Sequence, residues 1–261
     1  MGIWAARSRA EAWIAGAVLL AVGVVVCAGC PGAGVACVLD GRFGFVSDPG
    51  RSVIDVLRMA KTASGRPVLV RSIPVSGEPA GETITPDGKY LLAADGNGAV
   101  VISVVRAESG AAGAVLGTLA APGGSANGQS ALPPGSAIEV ADSRDGRYAF
   151  VTLEYDQRAV VFNLAGALSH GFGSTDYVGS IPLGQAAVGL AVSPDGRWLY
   201  ATSEVPIPAQ HPVGIRASPA RSGSALPASQ AARAGIVSNE PPGTLTLIDL
   251  RRAETDPAHS V

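Results

Sequence analysis

Charge is scarce in this chain. Only 15% of its 261 residues are Asp, Glu, Lys or Arg, and the formal net charge is −2. No basic run offers an electrostatic footprint for nucleic acid, and no acidic block reads as a solvated tail. The apolar fraction is 47%, which excludes the weakly hydrophobic, highly charged class of disordered chains. Catalytic and metal-binding motifs are missing too: there is no G-x-S-x-G, HExxH, P-loop or G-x-G-x-x-G. Of the three histidines, His170, His211 and His259, none has a second His or Cys at ligand spacing, so zinc is not indicated. No cofactor and no metal are expected. Cysteine is limited to Cys27, Cys30 and Cys37. Should Cys30 become a processed N-terminus, Cys37 is left alone and no disulfide framework is possible. Cys37 lies in the apolar run Gly34–Leu39 and reads as a small buried hydrophobe.

What the chain has instead is punctuation: 34 Gly and 19 Pro, the composition of a turn-rich, compact protein. Its first thirty residues stand apart. Arg7 and Arg9 precede an uncharged run, Trp13 to Gly29, the build of an export signal with a basic start, an apolar middle and a small-residue end. At 17 residues the run is at the lower edge of what crosses a bilayer, so residues 1–29 read as a signal peptide or a membrane anchor. The ending Cys27-Ala28-Gly29-Cys30 resembles a bacterial lipobox, in which Cys30 would carry the lipid; Cys27 stands where Leu is usual. A lipoprotein, a cleaved secreted protein and an uncleaved anchor remain open, as does a buried N-terminal helix of a cytosolic protein. The export readings place the chain on the outer face of the cell membrane or in the medium.

The remainder repeats. Asp40-Gly41-Arg42-Phe43, Asp87-Gly88-Lys89-Tyr90, Asp145-Gly146-Arg147-Tyr148 and Asp195-Gly196-Arg197-Trp198 recur 47, 58 and 50 residues apart. Each Asp-Gly pair supplies turn chemistry: Gly takes a positive φ without a Cβ clash, and Asp bonds the backbone of its own turn. Asp95-Gly96-Asn97-Gly98 resembles the start of a calcium loop but reads as a further hairpin turn. A short apolar run precedes each Asp-Gly and more follow it, including Ala99–Val104, Ala159–Leu164 and Thr244–Leu250. Four short antiparallel strands in about fifty residues is the arithmetic of a β-propeller blade. The predicted architecture is all-β, with blades at about 35–75, 80–119, 137–183 and 187–261.

Ser193-Pro194-Asp195-Gly196-Arg197-Trp198-Leu199-Tyr200-Ala201-Thr202, with Gly243-Thr244-Leu245-Thr246-Leu247-Ile248-Asp249-Leu250 after it, resembles the YVTN-repeat, lactonase-like β-propellers. Asn163-Leu164 and Asp249-Leu250 fit the third-strand ending of that family. The Tyr-Val-Thr-Asn quartet itself is absent; Phe150-Val151-Thr152-Leu153 and Tyr200-Ala201-Thr202-Ser203 come nearest. The resemblance spans about residues 35–250. It implies a ring of seven blades and, as an activity, hydrolysis of a sugar lactone of the 6-phosphogluconolactone type.

About three and a half blades are legible, so the predicted ring is incomplete. A truncated product, or further blades supplied by another chain, would account for it. His259-Ser260-Val261 reads as the beginning of a strand. Between the second and third strands of the last unit, 206–242 holds seven prolines and no alternating run, an excursion overhanging one end of the channel. Glu82, Glu139, Asp142, Glu154 and Glu204 are the carboxylates in reach of the channel or its mouth. Glu139 and Glu204 are the candidate catalytic residues, because a lactonase needs a group to activate water. The eight Asp and Gly residues of the repeated turns carry structure rather than catalysis. The sequence thus reads as a non-enzymatic, extracytoplasmic binding or scaffolding propeller, with lactone hydrolysis as the alternative. Its partners would be a protein or small molecule, the membrane through the N-terminus, and no nucleic acid.

Overall fold

A computed structural model of the chain describes residues 35–37, 41–60, 66–122, 137–205 and 243–261. The signal or anchor segment, Cys30, Asp40 and the 206–242 insertion lie outside these residues. The described residues form four antiparallel sheets, each built from strands consecutive in sequence. Blade 1 holds β1 (Val35–Cys37), β2 (Phe43–Asp48), β3 (Val53–Arg58) and β4 (Val68–Pro74). Blade 2 holds β5 (Glu82–Ile84), β6 (Tyr90–Asp95), β7 (Gly98–Ser103) and β8 (Val115–Ala120). Blade 3 holds β9 (Ala137–Asp142), β10 (Tyr148–Leu153), β11 (Arg158–Asn163) and β12 (Tyr177–Pro182). Blade 4 has three strands, β13 (Gln185–Val192), β14 (Trp198–Val205) and β15 (Thr244–Asp249). The first strands of successive blades lie side by side, so the sheets form an arc of an all-β, propeller-like ring.

Strand alternation builds the core. In blade 2, Leu91, Ala93, Val100 and Ile102 pack toward blade 1, with Phe45, Ile54 and Val56. Their sequence neighbours Leu92, Ala94, Ala99 and Val101 pack toward blade 3, with Val151, Val160 and Phe162. A third cluster joins blades 3 and 4 through Phe150, Val161, Leu199 and Ile248. A blade covered on both sides therefore needs unbroken apolar strands, which is what β6, β7, β10 and β11 have. In β15 burial alternates: Thr246 and Ile248 are buried against blade 3, while Leu245 and Leu247 are exposed among the described residues.

The repeated turn is one hydrogen-bond unit made three times. Thr85, Ser143 and Ser193 each donate from the hydroxyl to the turn Asp, at 2.7, 2.6 and 2.5 Å. Each hydroxyl oxygen accepts from the backbone N–H of the aromatic residue five positions on, at 3.1, 3.0 and 2.9 Å. Gly88, Gly146 and Gly196 sit at φ +72°, +69° and +69°. No atom would contact a Cβ at Gly88, so Gly88→Ala isolates the backbone penalty. We expect a loss of about 1–2 kcal/mol, read as a lowered urea midpoint with unchanged slope.

Short helices follow the third strands of blades 2, 3 and 4, which the apolar runs did not announce: α1 (Val104–Ser109), α2 (Leu164–His170) and α3 (Leu250–Ala253). Asn163 and Asp249 end their strands and cap these helices, accepting from Gly166 N–H at 2.9 Å and Arg251 N–H at 3.0 Å. Val104, Leu164 and Leu250 are buried as first helical residues rather than last strand residues. Of His259-Ser260-Val261, read as a strand start, His259 belongs to a 3₁₀ turn instead, while the Ser260 carbonyl accepts from Asp249 N–H at 2.9 Å, as the Ala114 carbonyl accepts from Ser103 N–H just ahead of β8. Pro257–His259 is a 3₁₀ turn fixed by its proline, and the Ser260 hydroxyl donates back to the Pro257 carbonyl at 2.7 Å.

Candidate functional site

The inner strands carry most of the carboxylates singled out above. Glu82 on β5 accepts from the Ser47 hydroxyl of blade 1 at 2.6 Å. Asp142, the last residue of β9, accepts from the Thr83 hydroxyl of blade 2 at 3.2 Å. The Thr152 hydroxyl of blade 3 donates to the Val188 carbonyl of blade 4 at 3.3 Å. The polar inner wall is thus sewn from blade to blade by hydroxyl donors, in keeping with the rule that buried acceptors find partners.

Glu139 and Asp142 stand at different heights on β9. Glu139 is near the strand's start, where its carboxylate accepts from Val140 N–H at 3.1 Å and fills the space beside Gly81, so that a Cβ there would collide with it. Asp142 is at the other end, next to the Asp-Gly hairpins. Burial pushes the Glu139 carboxyl up to about 7, against the single backbone hydrogen bond from Val140. Burial also pushes Asp142 up to about 7; the Thr83 hydrogen bond opposes this and the charges of Asp87 and Asp145 add to it. The Oδ2 of Asp142 is buried with no hydrogen-bond partner among the described residues. Both carboxyls can therefore take or give a proton near neutral pH.

Glu204 is elsewhere. It lies within β14 rather than after it, with an exposed side chain, and nothing bonds it to Glu139. Glu154 follows β10 at the same end of the blades as Glu204. Among the described residues no three of His, Cys, Asp and Glu gather as a metal-holding group, and neither Glu139 nor Asp142 is bonded to a His, Lys or Arg. Asp142, noted in sequence only as one acidic residue among several, has the more perturbed chemistry. Its signal would have been its place two residues before a turn, on a strand that must be covered on both sides.

On the Asp-Gly face a groove of about 570 Å³ opens between blades 2 and 3, lined by Thr85, Asp87, Tyr90, Arg144, Arg147 and Leu168 among others. Burial pushes Asp87 and Asp145 up, but hydrogen bonds outweigh it and hold both below the usual carboxylate range: Thr85 and Lys89 for Asp87, Ser143 and Arg147 for Asp145. The groove therefore presents fixed charges of both signs around an aromatic ring. Among the described residues no helix is long and apolar enough to cross a membrane; the run 13–29 lies outside them.

No family model matches the chain, and no curated protein matches it in sequence. Solved structures do match in fold. One is a "putative 6-phosphogluconolactonase" from Bacteroides uniformis, with a TM-score of 0.51 and 16% identity over 65% of this chain and 46% of that one. A second, described in the same words, is from Bacteroides fragilis, with a TM-score of 0.52 and 16% identity over 65% of this chain and 47% of its own. Hydrazine synthase of Kuenenia stuttgartiensis matches at a TM-score of 0.50 and 16% identity, over 71% of this chain and 46% of that one. The chain spans about half the length of the structures it matches. At this identity the likeness is one of fold, and the fold it supports is of the propeller type.

Proposed function

We propose that the chain is an extracytoplasmic binding or scaffolding propeller of the YVTN-repeat, lactonase-like kind, anchored outside the cell through Cys30. The observation that carries this reading is the pairing of polar groups on the inner wall. The Ser47, Thr83 and Thr152 hydroxyls link each blade to the next through Glu82, Asp142 and the Val188 carbonyl, while the open groove at the Asp-Gly face is left to meet a protein or small-molecule partner. Fold alone would not assign an activity. The test has two parts. The product in the native membrane fraction is expected to begin at Cys30 with added acyl mass; an unmodified or longer N-terminus removes the anchor. The purified chain is expected to hydrolyse neither 6-phosphogluconolactone nor gluconolactone above the spontaneous rate; turnover removes the non-enzymatic reading.

One observation favours the second reading, hydrolysis of a sugar lactone: burial pushes the Asp142 and Glu139 carboxyls up to about 7, where a general base works best. The names of the two Bacteroides structures point the same way. If the chain turns lactone over, Asp142→Asn is expected to lower kcat by roughly 10²–10⁴-fold with little change in KM. An undiminished kcat would acquit Asp142 and leave Glu139 and Glu204 to be tried.

A further inference from the structure

Registering blades 2, 3 and 4 on their Asp-Gly turns makes their positions comparable. Just before the turn Asp stand Pro86 in blade 2 and Pro194 in blade 4. Proline suits that corner, because its fixed φ presets the turn. Blade 3 has Arg144 there instead. A second position departs in the same blade. The helix after the third strand buries Val104 and Ala107 in blade 2, Leu164 and Ala167 in blade 3, and Leu250 and Ala253 in blade 4. The residue after the buried alanine is Glu108, Leu168 and Glu254 in turn. Blade 3 thus exchanges a turn proline for a cation and a helix carboxylate for an apolar side chain. The turn itself does not call for the change: Ser143 and Asp145 make the same hydrogen bonds as Ser193 and Asp195.

Both departures line one groove, the one between blades 2 and 3. The stacking of the blades explains why they meet. Each turn lies beside the next, Pro86 beside Gly146 and the Arg144 stem beside Gly196. Each helix leans over the turn of the preceding blade. Glu254 of blade 4 therefore feels the charges of Asp145 and Arg147, and Leu168 of blade 3 lines the groove with Thr85, Asp87 and Tyr90.

The charges in this groove are not equally free. Asp87 accepts from the Thr85 hydroxyl at 2.7 Å and pairs with Lys89 at 3.0 Å. Asp145 accepts from the Ser143 hydroxyl at 2.6 Å and from Arg147 N–H at 3.1 Å. The guanidinium groups of Arg144 and Arg147 have no carboxylate at ion-pair distance among the described residues; Arg147 lies over the Tyr148 ring, 5.9 Å from its centre. Both arginines are exposed, and Tyr90 and Leu168 between them and blade 2 are half-buried. The unused capacity is thus two planar cations, a shape that takes carboxylates in bidentate fashion, beside an aromatic and an aliphatic side chain. Arg and Tyr around an apolar centre is the composition of a protein contact.

Resting on the binding reading above, we propose that this groove holds an acidic peptide segment of a partner protein. Its carboxylates meet Arg144 and Arg147, and an apolar side chain between them packs on Tyr90 and Leu168. A small free acid would engage the guanidinium groups and leave most of a groove of about 570 Å³ unfilled. A basic peptide would find the carboxylates already bonded and both guanidinium groups repelling it.

The experiment is retention of the purified full chain, in a mild non-ionic detergent, on arrays of terminally blocked octapeptides. One set mixes Asp and Glu with Leu, Phe and Tyr; a second replaces the acids by Lys and Arg, a third by Asn and Gln. Retention by the acidic set is expected, weakening with added salt. Arg144→Pro and Leu168→Glu each restore the residue that blades 2 and 4 carry. Arg144→Pro is expected to weaken acidic-set binding roughly tenfold, and Leu168→Glu at least as much, through like-charge repulsion. No preference for the acidic set, or one undiminished in both variants, overturns the proposal. Competition by free glutarate as complete as by the best peptide assigns the groove to a small acid and overturns the peptide. Should the variants misfold, hydrogen exchange of the wild type with the best acidic peptide replaces them: protection over 85–90, 144–147 and 165–169 is expected, and protection elsewhere overturns the proposal. The binding reading is tested apart from this by lactone turnover, so a chain that neither hydrolyses lactone nor retains acidic peptides loses only the acidic partner.

Discussion

Phe150→Ala is expected to remove about 3–5 kcal/mol of stability, the range for deleting a fully buried aromatic ring. Phe150 is at 0% exposure in the cluster that joins blades 3 and 4, with Val161, Ile181, Leu199 and Ile248 around it. Among the described residues blade 4 has three strands and one covered face, and this cluster joins it to the arc. A cavity there weakens the attachment of the whole blade, beyond the transfer energy of the missing ring. Phe150→Leu is the informative control. Leu92 occupies the equivalent position in blade 2 and is equally buried, so the position accepts Leu, and the expected loss is about 1 kcal/mol. Urea unfolding followed by circular dichroism measures both. Equal losses for Ala and Leu would mean that the ring's shape, rather than the filled volume, holds blades 3 and 4 together.

Acidification is expected to stabilise the fold between pH 7 and about pH 4.5, against the usual trend for a protein rich in paired carboxylates. Burial raises Glu139 and Asp142 to about 7 in the folded state. An unfolded chain returns them to 4.5 and 3.8. Between those limits the folded state holds more protons than the unfolded one, so stability falls as pH rises, and is flat above the folded values. The rise from 4.5 or 3.8 to about 7 corresponds to about 3–4 kcal/mol for each group. The turn residues Asp87 and Asp145 act in the opposite sense. Their folded values are below 3.8, so their contribution is present above that pH and lost as pH falls through the folded values. The expected profile therefore has its maximum near pH 4–5. Asp142→Asn keeps an oxygen to accept from Thr83 and removes the ionisation. It should leave stability near pH 4.5 unchanged and raise it at pH 8 by about 2–4 kcal/mol. Chemical denaturation at the two pH values decides it; a variant that is less stable at pH 8 would show that the Asp142 carboxylate is compensated there by a partner.

Much of the fold is written in local chemistry. Asp87-Gly88, Asp145-Gly146 and Asp195-Gly196 announce hairpins because few residue pairs satisfy a positive φ and a turn N–H together. Once the turns are placed, the alternating runs on either side can only be strands, and four per repeat make a blade. The unbroken apolar runs of β6–β7 and β10–β11 mark strands covered on both sides. The helices after the third strands were not legible. Val104, Leu164 and Leu250 continue an apolar run, and only packing decides whether the last apolar residue extends the strand or opens a helix. Asn163 and Asp249 are good strand ends and good caps alike.

The candidate site was legible in part. Sequence placed Glu82 and Glu139 on first strands, because the runs before the Asp-Gly turns are strands whatever their role. It could not rank them, since a carboxylate's protonation depends on what the adjacent blade puts beside it. Thr83 reaches Asp142 across 59 residues of chain, and Ser47 reaches Glu82 across 35. The sequence by itself determined the repeat, the turn geometry and the all-β architecture, because these depend on interactions within a few residues. Which carboxyls are driven toward neutral pKa values, and which face of each strand meets which neighbouring blade, were decided by tertiary structure alone. Both depend on desolvation by residues of another blade, a property that no local pattern carries.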